Sequence, residues 1–503
     1  MTRGAFQALP FSSANFFKHL SNTHCNPDEV ASNPRAGYLL RYLSTLGARS
    51  MVVERHYTDG DYLEDFASYY VRCHRPYGRR CRRLHFFSCD LDDAKVLALV
   101  LGELKADEAL SVQKSYLGFV VVRPLPSAVV GRTVLKTYPD DGGRRHYSVL
   151  LTFTAHLFGT PLHIQSLPFQ EQDTVLAACA TVALWCAFHK THDLFDTASP
   201  RPAEITRTAN RVLKGGRPIP SHSLTIEQMC HVVSEVGLEP ELIDCTSSDV
   251  PLVSLAYGHL MMGLPVVLGV EIPGRGRHAI TLTGFSLRTN RVHAQEVPIG
   301  AKSIPMIGLR IDELYAHDDQ VGPFSRLVVV APTATEPLIL RTQNAQGKQF
   351  DMYPLVMLVP VYNKIRLTFL DVKKWLTRLT GVLLGFAQET SIEWDLHLVT
   401  SNEYKMGIKG SSLSRTEREI FLLRAQPRFL WQAILRIDGE QVFELLADAT
   451  DMERSFPFLN ASAIWRHAQF RADVKQQLVA PANQAALARI LTPRFLDYLK
   501  RNI

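Results

Sequence analysis

Cys179 and His278 are the residues whose types and surroundings suit nucleophilic chemistry. Cys179 lies in "QEQDTVLAACATVALWC", residues 170–186, whose small and apolar residues predict a buried helix with the cysteine in its first turn. A thiol is mostly neutral at neutral pH, so a nucleophilic cysteine needs help to ionise. A helix N-terminus, with its partial positive charge, and an adjacent imidazole both favour thiolate. His278 offers the imidazole, at the start of the alternating stretch in "GRGRHAITLTGF", residues 274–285, just after a glycine-rich turn. Ala177, Ala178, Ala180 and Ala183 would let the helix start lie close against a sheet, with Trp185 and Phe188 anchoring it. Taken alone, a cysteine among alanines is usually a core residue.

The elements that must position these residues are legible as patterns. The segments "DYLEDFASYYV" and "LDDAKVLALVLGEL" have helical spacing, and "YLGFVVVRPLP" and "HYSVLLTFTAHLF" read as strands, giving a mixed α/β N-terminal domain over 1–165. From 166 to 335 the chain reads as the cysteine helix, a polar linker, the helix "TIEQMCHVVSEVG", a helix-and-strand unit "LVSLAYGHLMMGLPVVLGVEI", and the turn "PGRGR" leading into the histidine strand. After the linker "PTATEP", residues 336–503 read as an α+β domain whose "RIDGEQ" is an Asp-Gly hairpin turn.

The central segment, about 165–330, resembles the papain-like cysteine peptidases, most closely the bacteriocin-processing (double-glycine) branch. "HAITLTGF" is similar to the family's histidine strand, "MMGLPVVLGVEI" to the strand before it, and "LTIEQMCHVVSEVGLEPEL" to its intermediate helix. The resemblance implies an α+β fold, with a papain-like domain between two mixed α/β flanking domains. It also implies a triad of Cys179, His278 and Asp318. The family's orienting Asp or Asn is followed by glycine, and in "YAHDDQVGPF" Asp318 takes that place, Gly322 keeps the glycine, and Asp319, where proline is usual, is the fallback. The forty residues between His278 and Asp318 exceed the family's usual gap, so "RTNRVHAQEVPIGAKSIPMIGL" reads as an inserted loop. The family's oxyanion glutamine lies six residues before the cysteine, where this chain has Asp173. Gln172, one residue earlier, is the candidate, and Asp173 reads instead as part of the helix cap. Cys186, two turns deeper on the same helix face, should be inert.

The implied activity is hydrolysis of a peptide or isopeptide bond in a protein or peptide substrate, with no cofactor and no metal. The alternative is a degenerate papain-like fold serving as a protein-binding scaffold. The composition, 46% hydrophobic and 21% charged over 503 residues, suits a multidomain globular chain. Apolar runs such as "YPLVMLVPVY" are strand-sized, so no membrane role is expected, and the absence of a cysteine framework spanning the chain points to the cytoplasm. Residues 1–165 carry 20 Lys and Arg against 15 Asp and Glu, and six arginines lie in Arg72–Arg83. That run reads as a solvated loop, or as a site for an acidic or phosphate-bearing partner. A nucleic-acid-associated protein using it is a third class. Cys73, Cys81, Cys89, His74 and His85 lie close together in sequence but lack CxxC spacing, and the acids of "LADATDMERS" lack a glycine-turn loop, so neither set is read as a metal site.

Overall fold

The computed structural model describes the chain apart from residues 1–3, 174–177, 213–222, 248–249, 290–303, 331–337, 345, 385–391, 453–463, 466–467 and 503. Helices and antiparallel strands mix throughout, so the protein is α+β, as expected. The "PTATEP" linker and most of the expected inserted loop lie outside the described residues. The chain divides into two compact units, one of residues 1–248, 264–286 and 313–360, the other of 249–263, 287–312 and 361–503. The successive segments 1–165, 166–335 and 336–503 do not coincide with these units, and the strand pairing and core packing of the first unit give the reason.

In the first unit, β1 (Phe6–Pro10), β2 (Ser50–Tyr57), β3 (Cys81–Phe87), β4 (Tyr116–Val122) and β5 (Val130–Leu135) form an antiparallel sheet in sequence order. The sequence "YLGFVVV" of β4 is buried on both faces because alternate residues enter different cores. Val120 and Val122 join Phe16, Leu39 and Tyr42, whereas Phe119 and Val121 join Phe87, Val96 and Leu157. The first of these cores also holds Val321 and Phe324, so the N-terminal sheet and the turn after Asp318 share one interior. A short β6 (Arg145–His146) pairs with the histidine strand, and β7 (Leu151–Leu157) and β8 (Thr160–Ser166) form a hairpin.

The central sheet contains β9 (Leu238–Asp244), β10 (Val266–Ile272), β11 (Gly276–Leu287), β12 (Ile311–Asp318), β13 (Gly322–Val330), β14 (Ile339–Gln343) and β15 (Gln349–Tyr362). Strands β10 to β15 follow one another, and β15 pairs back onto β10, so six strands close on themselves and leave no free edge between first and last. This closure draws residues beyond 335 into the same unit as the cysteine helix. The "PGRGR" turn joins β10 to β11 with Gly274 and Gly276 both at positive φ, and the register sets His278 opposite Val270.

The site end of this sheet is held by the helix Pro34–Thr45. Arg35 Nε donates to the Asp319 carbonyl at 2.9 Å, and the Tyr38 hydroxyl donates to the Pro323 carbonyl at 2.8 Å. The Tyr38 ring fills the space where a Cβ on Gly322 would project.

In the second unit, β16 (Ile392–Thr400), β17 (Phe429–Ile437), β18 (Glu440–Asp448) and β19 (Ile464–Trp465) form an antiparallel sheet, with Asp438 and Gly439 at positive φ in the β17–β18 turn. The Asp-Gly hairpin is therefore present. No described helix is long and apolar enough to cross a membrane.

Gly322→Ala is expected to lower stability by about 1–3 kcal/mol, because the methyl group must displace the Tyr38 ring from a packed core. A thermal unfolding midpoint equal to that of the parent would show that this turn does not pack on the helix.

Candidate active site

The helix Cys179–Phe195 places the cysteine at its first position, after Ala178 as N-cap. Alanine has no side-chain acceptor, so the cap makes no side-chain hydrogen bond and the positive end of the helix acts directly at Cys179. Asp173 does not serve as the cap: its carboxylate accepts from the Tyr70 hydroxyl at 3.1 Å, within a buried acidic group that includes Asp65. Residues Cys179 to Phe188 are all buried, so the helix is fixed on every side. Thr281 Oγ1 donates to the Ala183 carbonyl at 2.8 Å, tying the helix to β11 three residues beyond His278.

The Cys179 side chain lies close enough to the His278 ring to help raise the imidazole's pKa. His278 Nε2 donates to Asp318 Oδ1 at 2.8 Å. The three residues therefore meet at one place, from a helix start, a strand start and a strand end. Cys179 is 8% exposed and His278 4%, so the site is nearly dry. Burial alone would lower the His278 pKa, but the Asp318 charge and hydrogen bond, then the nearby Cys179 side chain and the charge of Asp319, hold it well above the ordinary histidine value.

Asp319 is nearer the imidazole than strand alternation suggests. Adjacent strand residues point to opposite faces, which would allow only one of the two carboxylates to meet the ring. Here β12 ends at Asp318 and the chain enters a turn, so Asp319 Oδ1 also comes within 3.7 Å of His278 Nε2. Burial pushes the Asp319 pKa up to about 7, with the Asp318 charge adding, against His278 and Arg35. His278, Asp318 and Asp319 also offer ligand atoms within 4.8 Å of one another, a set of the right types for a divalent cation.

Gln172 is partly buried ahead of the helix, and among the described residues no hydrogen bond joins it to Cys179 or His278. The amide beside the imidazole belongs to Gln320, which sequence reasoning missed: its Nε2 lies 3.3 Å from His278 Nδ1. Its backbone N–H donates to Asp318 Oδ1 at 2.9 Å, an Asx turn that fixes both residues. A glutamine two residues after the orienting aspartate was the available signal. When the ring is neutral, with its proton on Nε2, Gln320 can donate to Nδ1. In the imidazolium Nδ1 becomes a donor, and thiolate is the better acceptor. Cys186 is fully buried, and burial followed by the Asp319 charge drives its thiol well above the ordinary value, in keeping with an inert role.

No protein-family model, no curated protein and no solved structure matches this chain. The site rests on its own geometry.

Folded Asp319 keeps its proton up to about pH 7, whereas a free aspartate releases it near pH 4. The folded state therefore binds more protons than the unfolded state in that window. The contribution is complete below about pH 4 and is lost as the pH rises through 7. His278, also raised, adds a loss of the same sign above about pH 6.5. Between about pH 5 and pH 7.5 the parent's thermal midpoint should fall further than that of Asp319→Asn. Equal falls would show that Asp319 is ionised throughout.

Proposed function

We propose that the chain is a cysteine peptidase with a papain-like core, hydrolysing a peptide or isopeptide bond of a protein or peptide substrate. The observation that carries this reading is the meeting of Cys179, His278 and Asp318, with the imidazole bonded to Asp318 at 2.8 Å. It brings a thiol at a helix N-terminus beside an imidazole whose Nε2 is held by a buried carboxylate. With Nε2 committed to Asp318, Nδ1 is the nitrogen left to take the thiol proton.

The chemistry follows from those roles. The thiolate attacks the carbonyl carbon, the C=O electron pair moves to oxygen, and a tetrahedral intermediate forms. His278 gives its Nδ1 proton to the leaving amine as the C–N bond breaks, producing a thioester. Water then loses a proton to His278 as its oxygen attacks the thioester carbonyl, and the proton returns to sulfur as the C–S bond breaks. Asp318 keeps the ring in its productive tautomer and stabilises the imidazolium. The Cys179 backbone N–H, unspent in the helix, faces the developing oxyanion, and Gln320 supplies the nearby amide expected of Gln172. The eight cysteines are all unpaired, which fits work in a reducing compartment such as the cytoplasm.

The second reading, a catalytically degenerate fold used as a protein-binding scaffold, is favoured by one observation: among the described residues no hydrogen bond joins Gln172 to Cys179 or His278.

Hydrolysis of a fluorogenic peptide pool separates the two. Cys179→Ala should abolish turnover with the fold retained. Asp318→Asn should reduce it by up to about ten-thousand-fold, and Asp319→Asn by less, because the 2.8 Å partner holds the tautomer. A chelator should leave turnover unchanged. Undiminished turnover in Cys179→Ala, or inactivation by the chelator, would overturn the peptidase reading. Absence of turnover in the parent with every peptide would favour the scaffold.

A further inference from the structure

The arginine-rich segment is not one uniform surface. Arg83 is buried, with Nε donating to Glu54 at 2.8 Å and its guanidinium over the Tyr57 ring at 4.1 Å, so it belongs to the fold. Arg82, its neighbour on the strand, points to the other face and donates to the Ser21 carbonyl. There it lines a cavity of about 500 Å³ together with Arg55, His56, Arg80, Ser21 and Thr23. No carboxylate is among the described residues lining it.

Local structure explains why the arginines gather. Strand β2 pairs with β3 regularly up to Glu54 opposite Arg83, and the register then shifts before Tyr57 meets Cys81. Arg55 and His56 fall within this bulge, which turns their side chains towards the end of the sheet. The opposite wall is a fixed turn. Asn22 Nδ2 donates to the Arg123 and Leu125 carbonyls at 2.9 and 2.8 Å, and its Oδ1 accepts the backbone N–H groups of His24 and Cys25. Ser21 and Thr23 are therefore presented on a preorganised backbone.

The charges in the cavity are not spent elsewhere. Arg55 hydrogen-bonds the neutral Gln7, Arg82 a backbone carbonyl, and Arg80 has no ion-pair partner among the described residues. The local field is positive enough to be felt nearby. His19 is pushed down to about 4 by burial and then by the charges of Arg82, Lys18 and Arg55.

We propose that this cavity binds a phosphate-bearing small molecule, with Arg55, Arg80 and Arg82 holding the phosphoryl oxygens and the Ser21–Thr23 turn contacting the rest of the ligand. Planar guanidinium forks match phosphoryl oxygens in geometry and charge. The volume suits a ligand of about nucleotide size. A polyanion would need its cationic partners spread along a track, whereas these three arginines line one cavity. The site stands apart from the cysteine chemistry and holds whether or not the chain is a peptidase.

Calorimetric titration of the full chain at low salt with inorganic pyrophosphate, a phosphoserine peptide and a single-stranded RNA tests the proposal. Pyrophosphate should bind saturably and compete with either of the other two. The exposed pair Arg55→Ala with Arg80→Ala should weaken it by about tenfold or more, with an unchanged thermal midpoint. Absence of pyrophosphate binding, equal binding in the double variant, or RNA or phosphopeptide binding that pyrophosphate does not displace would overturn it.

Discussion

Two carboxylates and one imidazole share a buried volume at the end of β12, and the charge they can hold together constrains the rest of the first unit. An isolated ion there would be costly, so the ions must be paired and their remaining atoms held by fixed dipoles. Protonated His278 neutralises one carboxylate, and Asp318 is the nearer. Asp319 is then left buried beside a carboxylate that is already paired, and its burial, with the Asp318 charge adding, is why it holds a proton to about pH 7. The Arg35 guanidinium, salt-bridged to the buried Glu171 at 3.1 Å and donating to the Asp319 carbonyl, brings a further positive charge to this turn.

That constraint connects the N-terminal helix to the chemistry. Arg35 donates to a backbone carbonyl of the turn between β12 and β13 and Tyr38 to one at the start of β13, and Gly322 is the residue that allows the Tyr38 ring to sit there. Loosening this clasp would free Asp318 and Gln320 together, since one Asx turn holds both. On the opposite side, the closed strand path and the Thr281 bond to the cysteine helix fix the position of His278. The first 165 residues are therefore a structural support of the site as well as the location of the arginine cavity.

The sequence made parts of this visible for local reasons. Cys179 at a helix start and His278 at a strand start follow from patterns within a dozen residues. Asp318 required the family resemblance, because an acidic turn residue alone is unremarkable in type. Gln320 and Arg35 were not read: the first was signalled only by its place two residues after Asp318, which does not show the turn that brings its amide to the ring, and the second acts on Asp319 from 284 residues away. The three segments do not coincide with the compact units for a similar reason. Pairing of β10 with β15 and the shared core of Phe16 with Phe324 are long-range events, whereas composition changes mark only local boundaries. The mixed α+β character, which depends on local periodicity, was readable throughout.

The central claim is that Cys179 is activated by His278 despite its burial, and thiol reactivity tests it most directly. The full chain would be treated with about one equivalent of iodoacetamide at neutral pH and the modified residue located by peptide mass spectrometry. Exposure alone favours Cys73, Cys89, Cys230 and Cys245, which are more open than Cys179. The account predicts that Cys179 is alkylated ahead of the other seven thiols and that His278→Ala abolishes this preference. Labelling that follows exposure, or a Cys179 preference unchanged in His278→Ala, would contradict it.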